Sequence, residues 1–109
     1  MVLDNTGFSN WGWKQNALVS VNKQTHEAVF NPEFYIMKHV SNFVLPGAYL
    51  LKSTDSANHL AFLNPNGKIV VIVVNGEEKE KQVTINYKNK IIELNLKAKS
   101  FNTLQFNTI

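Results

Sequence analysis

The chain has 109 residues, 44% hydrophobic and 17% charged, which fits one globular domain with a modest core and excludes a disordered chain. Its net charge of +3 comes from eleven lysines with no arginine, so it lacks the bidentate guanidinium contacts of nucleic-acid readers and no nucleic-acid partner is expected. Cysteine is absent, which excludes a disulfide framework and thiolate chemistry, and the sequence shows neither a bilayer-spanning apolar run nor a signal peptide.

Residues 1–30 are the least regular. Met1-Val2-Leu3 is a short apolar piece halted by Asp4-Asn5-Thr6-Gly7, an opening that reads like the middle of a longer chain. Three aromatics, Phe8, Trp11 and Trp13, then fall within six residues among amides and glycine. Ala17–Val21 reads as a strand, residues 22–25 as a polar turn, and His26–Phe30 as the returning partner. Asn31-Pro32-Glu33 is a helix start, with an N-cap amide, proline at the first helical position and an acid favoured by the helix dipole. From there Ile36, Met37, Val40, Phe43 and Val44 recur at spacings of three and four, giving one apolar face that ends at Pro46-Gly47.

Beyond Gly47 the pattern predicts strands at Ala48–Lys52, Leu60–Asn64, Lys68–Asn75, Gln82–Tyr87, Ile91–Leu96 and Phe101–Phe106. The run Ile69-Val70-Val71-Ile72-Val73-Val74 has no alternation, so it reads as a central strand covered on both faces. Pro65-Asn66-Gly67 and Asn75-Gly76 bracket it as turns. In the segment 82–87, Val83, Ile85 and Tyr87 alternate with Gln82, Thr84 and Asn86, which predicts one wet face, and Lys88-Asn89 suits a tight hairpin. Glu77-Glu78-Lys79-Glu80-Lys81 reads as a solvated turn. The fold class is mainly β: an antiparallel β-sandwich with one helix and an irregular N-terminal segment.

Candidate chemistry is sparse. His26, His39 and His59 fall on separate elements, without metal-ligand spacing. The carboxylates propose no facing pair, and no phosphate loop, serine elbow or catalytic triad stands out. No catalytic residue, metal site or cofactor is assigned. The unusual stretch is Trp11-Gly12-Trp13 with Gln15 and Asn16, since apolar ring faces stack on sugars while amides bond hydroxyls. Two readings stay open for it: a sugar platform, or two tryptophans that cap a core.

The series Met1-Val2-Leu3-Asp4, Trp11-Gly12-Trp13-Lys14-Gln15-Asn16-Ala17-Leu18 and Asn31-Pro32-Glu33-Phe34-Tyr35 through Pro46-Gly47 resembles the C-terminal part of glycoside hydrolase family 30, the glucosylceramidase-like and β-1,6-glucanase-like enzymes. Leu60-Ala61-Phe62, Asn64-Pro65, Gly67 and the stretch Lys99-Ser100-Phe101-Asn102-Thr103 agree with it. The resemblance covers essentially the whole chain. It implies a parent enzyme with a (β/α)8 barrel and a sandwich packed beside it, with residues 1–45 as the last barrel strand, loop and helix and residues 46–109 as the sandwich. The family retains configuration through two glutamates on earlier barrel strands, so this chain is expected to lack both and to be catalytically silent alone.

The partners so implied are the catalytic barrel and, through the parent, a β-linked glycan that Trp11, Trp13 and Asn16 reach in the intact enzyme. Parents of this kind are commonly secreted or periplasmic. Where family members often show Gly-Gly-Pro this chain has Gly7-Phe8-Ser9, which limits what the resemblance implies for the loop's substrate contacts. The alternative is a stand-alone carbohydrate-binding module using Trp11 and Trp13. Without a barrel, helix 31–44 would expose its apolar face, so the isolated chain is expected to fold the helix back on the sandwich or to form a homodimer through it.

Overall fold

A computed structural model describes residues 1–54 and 57–108. The elements are β1 (Val2–Asp4), β2 (Val19–Val21), β3 (Ala28–Phe30), α1 (Pro32–Phe43), β4 (Tyr49–Leu51), β5 (His59–Leu63), β6 (Lys68–Asn75), β7 (Lys81–Tyr87), β8 (Lys90–Leu96) and β9 (Ser100–Asn107). The chain divides into two compact units, Met1–Ser41 and Asn42–Ile109.

The first unit is organised by a three-stranded sheet in the order β1-β2-β3. The hairpin expected from Ala17 to Phe30 is present, with Val19 opposite Phe30 and Val21 opposite Ala28. Its turn is held by the Asn22 side chain, whose Oδ1 accepts from the Gln24 and Thr25 amides at 2.9 and 3.1 Å. His26 closes the turn at φ 62, the left-handed conformation the reversal requires. β1 pairs with β2 in parallel, Val2 opposite Val19 and Asp4 opposite Val21, a pairing that short-range patterning does not announce. α1 begins where the Asn-Pro-Glu signal predicts. The Asn31 side chain, however, turns back to the sheet, donating to Ala17 O at 2.8 Å and Ser20 Oγ at 2.9 Å. No side chain of α1 is buried, and Tyr35, Ile36 and Met37 are about half exposed.

The second unit is the antiparallel sandwich that the strand pattern predicts. One sheet runs β4-β5-β6-β9 and the other is the β7-β8 hairpin. β6 is central: Ile69, Val70, Val71, Ile72 and Val73 are all buried, so both faces of the strand are dry. Its neighbours align by residue type, with Ile69 opposite Leu63 and Phe106, and Val71 opposite Ala61 and Leu104. β7 and β8 alternate in step: Val83, Ile85 and Tyr87 lie opposite Leu94, Ile92 and Lys90, while Gln82, Thr84 and Asn86 are exposed. Tyr87 meets Phe106 of the larger sheet edge to face, with ring centroids 5.9 Å apart, and this contact joins the two layers.

Two buried asparagines complete the unit. Asn64, at the end of β5, donates to Phe43 O at 2.8 Å and accepts from the Leu45 amide at 3.0 Å, satisfying the C-terminus of α1. Asn75, at the end of β6, donates to Lys79 O and Lys97 O, both at 2.9 Å, and to Leu96 O at 3.3 Å. Its Oδ1 accepts from the Glu77 amide at 3.0 Å. No helix among the described residues is long and apolar enough to cross a membrane.

Candidate functional site

The parallel pairing of β1 with β2 forces the chain to travel back along the sheet before it can run in the same direction again. Residues 5–18 make that excursion and carry the aromatic cluster. It starts at Asp4, whose Oδ1 accepts from the Thr6 amide at 2.9 Å and from the Thr6 hydroxyl, making a local turn in which Gly7 takes φ 75. A bridge between Phe8 and Lys14 then opens a tight hairpin. Ser9 N donates to Trp13 O and Gly12 N to Ser9 O, both at 2.9 Å, while Ser9 Oγ accepts from the Trp11 and Trp13 amides at 3.3 Å. Gly12 stands at φ 77, which a side chain would disfavour. Gln15 N donates to Gly7 O at 2.9 Å and closes the base.

This geometry settles where the indoles go. Trp11 is 82% exposed and Trp13 67% exposed, so neither caps a core in this chain. Asn16 is also exposed, next to the buried Ala17. Trp11 and Trp13 therefore share one short hairpin, and Asn16 lies just past its base. Such a tip offers aromatic faces and amides to solvent on a backbone constrained at five points.

Beside the hairpin lies an open cleft of about 450 Å³, lined among others by Val2, Asp4, Phe8, Asn10, Lys23 and His26. Trp11, Trp13 and Asn16 are not among its lining residues. Hydrogen bonds from Thr6 and then Lys23, whose Nζ lies 2.9 Å from Oδ2, hold the Asp4 carboxyl down at about 2 against an ordinary 3.8. A general acid needs the opposite shift. At neutral pH Asp4 is thus an ionised acceptor that fixes the loop.

In the sandwich a second cavity of about 650 Å³ opens between the sheets, walled by Ala61, Val71, Val73, Val83, Ile85 and Phe106. Among the described residues no carboxylate lines it. Glu77 and Glu78 instead pair with Lys81 at 3.6 Å and Lys99 at 3.4 Å on the surface. Among the described residues no three His, Asp or Glu side chains gather as a metal site. The sequence reading missed the roles of Asn64 and Asn75. Asn64 reads as the end of a strand and Asn75 as the start of a turn, and only their burial reveals them as clamps.

The family model described as the glycosyl hydrolase family 30 beta sandwich domain matches residues 47–104. No curated protein sequence matches the chain. Among solved structures, SrfJ from Salmonella typhimurium is similar at TM-score 0.88 and 26% identity, over 99% of this chain and 25% of that one. The endo-beta1,6-glucanase BT3312 is similar at TM-score 0.78 and 25% identity, over 98% of this chain and 26% of that one. The chain thus spans about a quarter of the length of these relatives.

Proposed function

The chain belongs to the glycosyl hydrolase family 30 β-sandwich family, and from that premise we propose that it is the non-catalytic C-terminal part of a retaining β-glycoside hydrolase. In this reading residues 46–109 brace a catalytic (β/α)8 barrel formed by the rest of the parent, while residues 1–45 supply its last strand, the loop after it and its last helix. One observation carries the proposal: a similarity of shape at TM-score 0.88 takes in 99% of this chain but 25% of SrfJ. The glutamates that do the chemistry belong to the barrel, and the chain alone is silent. The lowered Asp4 carboxyl and the solvent-facing Glu77 and Glu78 agree with that.

The parent's substrate in this reading is a β-linked glucan or glucoside, as the name of the glucanase neighbour suggests. Trp11, Trp13 and Asn16 reach that sugar from the catalytic-face loop. The half-exposed Tyr35, Ile36 and Met37 of α1 give the barrel an apolar surface to cover and, in its absence, a surface for self-association.

Hydrolysis of aryl β-glucosides and of β-1,6-gluco-oligosaccharides by the purified chain tests the silence, and clear turnover overturns it. The exposure of both tryptophans favours a second reading, a binding module that takes sugar without the barrel. A heteronuclear NMR titration with the same oligosaccharides separates the two. Saturable shifts at the indoles support the module, and a dispersed spectrum without shifts leaves the brace.

A further inference from the structure

The two turns that bracket β6 each contain an Asn-Gly pair, Asn66-Gly67 and Asn75-Gly76, and the structure sets them in opposite environments. We propose that Asn66 is a site of spontaneous deamidation and isomerisation, and that Asn75 is protected from the same reaction by its buried clamp. In this reaction the main-chain nitrogen of the following residue attacks Cγ of the asparagine. A new N–Cγ bond closes a five-membered succinimide, the Cγ–Nδ2 bond breaks, and the amide leaves as ammonia. Water then opens the ring at either carbonyl, giving aspartate or isoaspartate. Glycine as the next residue presents no side chain to hinder the approach.

Both asparagines have a feature that helps the first step. Asn66 Oδ1 accepts from the Lys68 amide and Asn75 Oδ1 from the Glu77 amide, each at 3.0 Å. A donor at that oxygen stabilises the negative charge that develops on it during attack. The pairs part company at the leaving group. Asn75 Nδ2 is held by the carbonyls of Lys79, Leu96 and Lys97, and the residue is 1% exposed, so solvent has no route to assist departure of ammonia. Asn66 is exposed, in a turn whose Gly67 stands at φ 83. Gly67 N donates to Asn64 O at 2.9 Å, so this bond opens before the nitrogen can attack, an opening readily reached in a surface turn.

The product changes more than one side chain. A neutral amide becomes a carboxylate, and isoaspartate adds a methylene to the main chain between β5 and β6. That turn positions Asn64, which holds Phe43 O and the Leu45 amide.

The test is incubation of the chain at mildly alkaline pH, native and in urea, followed by cleavage at lysine and peptide mass analysis. The fragment 53–68 holds Asn66, and Ile69–Lys79 holds Asn75 as its single asparagine. Asn64 is an internal control, because Pro65 has no N–H with which to attack. In urea both Asn-Gly pairs are expected to convert at similar rates. In the native chain Asn66 is expected to convert while Asn75 lags by at least about a hundredfold, since several buried hydrogen bonds must break first. Asn66→Gln is expected to abolish the early product. The proposal is overturned if native Asn75 converts as fast as Asn66, or if native Asn66 stays an amide over the time in which both convert in urea.

Discussion

Asn75 donates its side-chain amide to the carbonyl of Lys97, 2.9 Å away and 22 residues further along the chain. That single bond ties the end of β6, the central strand of the larger sheet, to the residue that follows β8 in the smaller one. With the companion bonds to Lys79 O and Leu96 O, it leaves no polar atom of the buried amide unpaired.

Asn75→Ala is therefore expected to destabilise the second unit by roughly 2–4 kcal/mol, because main-chain carbonyls that are partly buried lose their donor and none can replace it. Urea unfolding followed by far-UV circular dichroism measures this. A loss below about 1 kcal/mol would mean that water fills the site and the clamp contributes little.

The first unit should respond to acid through Asp4. Its folded-state value of about 2 lies below the ordinary 3.8, so the stabilisation is complete above the unfolded value and is lost as pH falls through the folded one. Between those two limits the turn Asp4–Gly7 should loosen, and Asp4→Asn should remove the dependence. The pH titration of the Asp4 carboxyl carbon by NMR checks it, and a midpoint near the ordinary value would contradict the Thr6 and Lys23 hydrogen bonds.

The intrinsic fluorescence should be that of solvated indole. The chain has two tryptophans, and both are largely exposed on the Ser9–Trp13 hairpin. Emission close to that of a free tryptophan amide is expected, with strong quenching by acrylamide. A blue-shifted, protected spectrum would show that the hairpin is covered, as self-association would cover it.

Lys99 precedes β9 at φ 48, a conformation that costs a lysine about 1–2 kcal/mol. Asparagine tolerates it better. Lys99→Asn also removes the ion pair to Glu78, but both partners are mostly exposed and such pairs contribute little. The net expectation is a gain of about 0.5–1 kcal/mol, read as a higher urea midpoint. An unchanged or lower midpoint would mean the ion pair outweighs the backbone strain.

The sequence by itself determined what depends on neighbours a few residues apart. Unbroken β-branched residues from Ile69 to Val74 demand a strand with two dry faces, and β6 occupies the predicted Lys68–Asn75. Alternation from Val83 to Tyr87 specifies one wet face, and Asn31-Pro32-Glu33 specifies where a helix starts. The ordered motifs pointed to a family whose model matches residues 47–104.

Tertiary structure decided what depends on residues that meet only after folding. Nothing in the local pattern says that β9 pairs with β6 while the intervening hairpin β7-β8 forms a separate sheet, or that β1 runs parallel to β2. The same holds for polar side chains. Asn64, Asn66 and Asn75 look alike in sequence, each beside a Pro or Gly. Two are buried and hydrogen-bonded to main chain that includes distant segments, Phe43 and Leu45 for Asn64 and Leu96 and Lys97 for Asn75, and one faces water. Likewise the exposure of Trp11 and Trp13 in this chain rests on which way a hairpin pinned at Ser9 projects. Periodicity encodes the side on which a residue lies, whereas burial of a polar group requires partners that long-range pairing alone delivers.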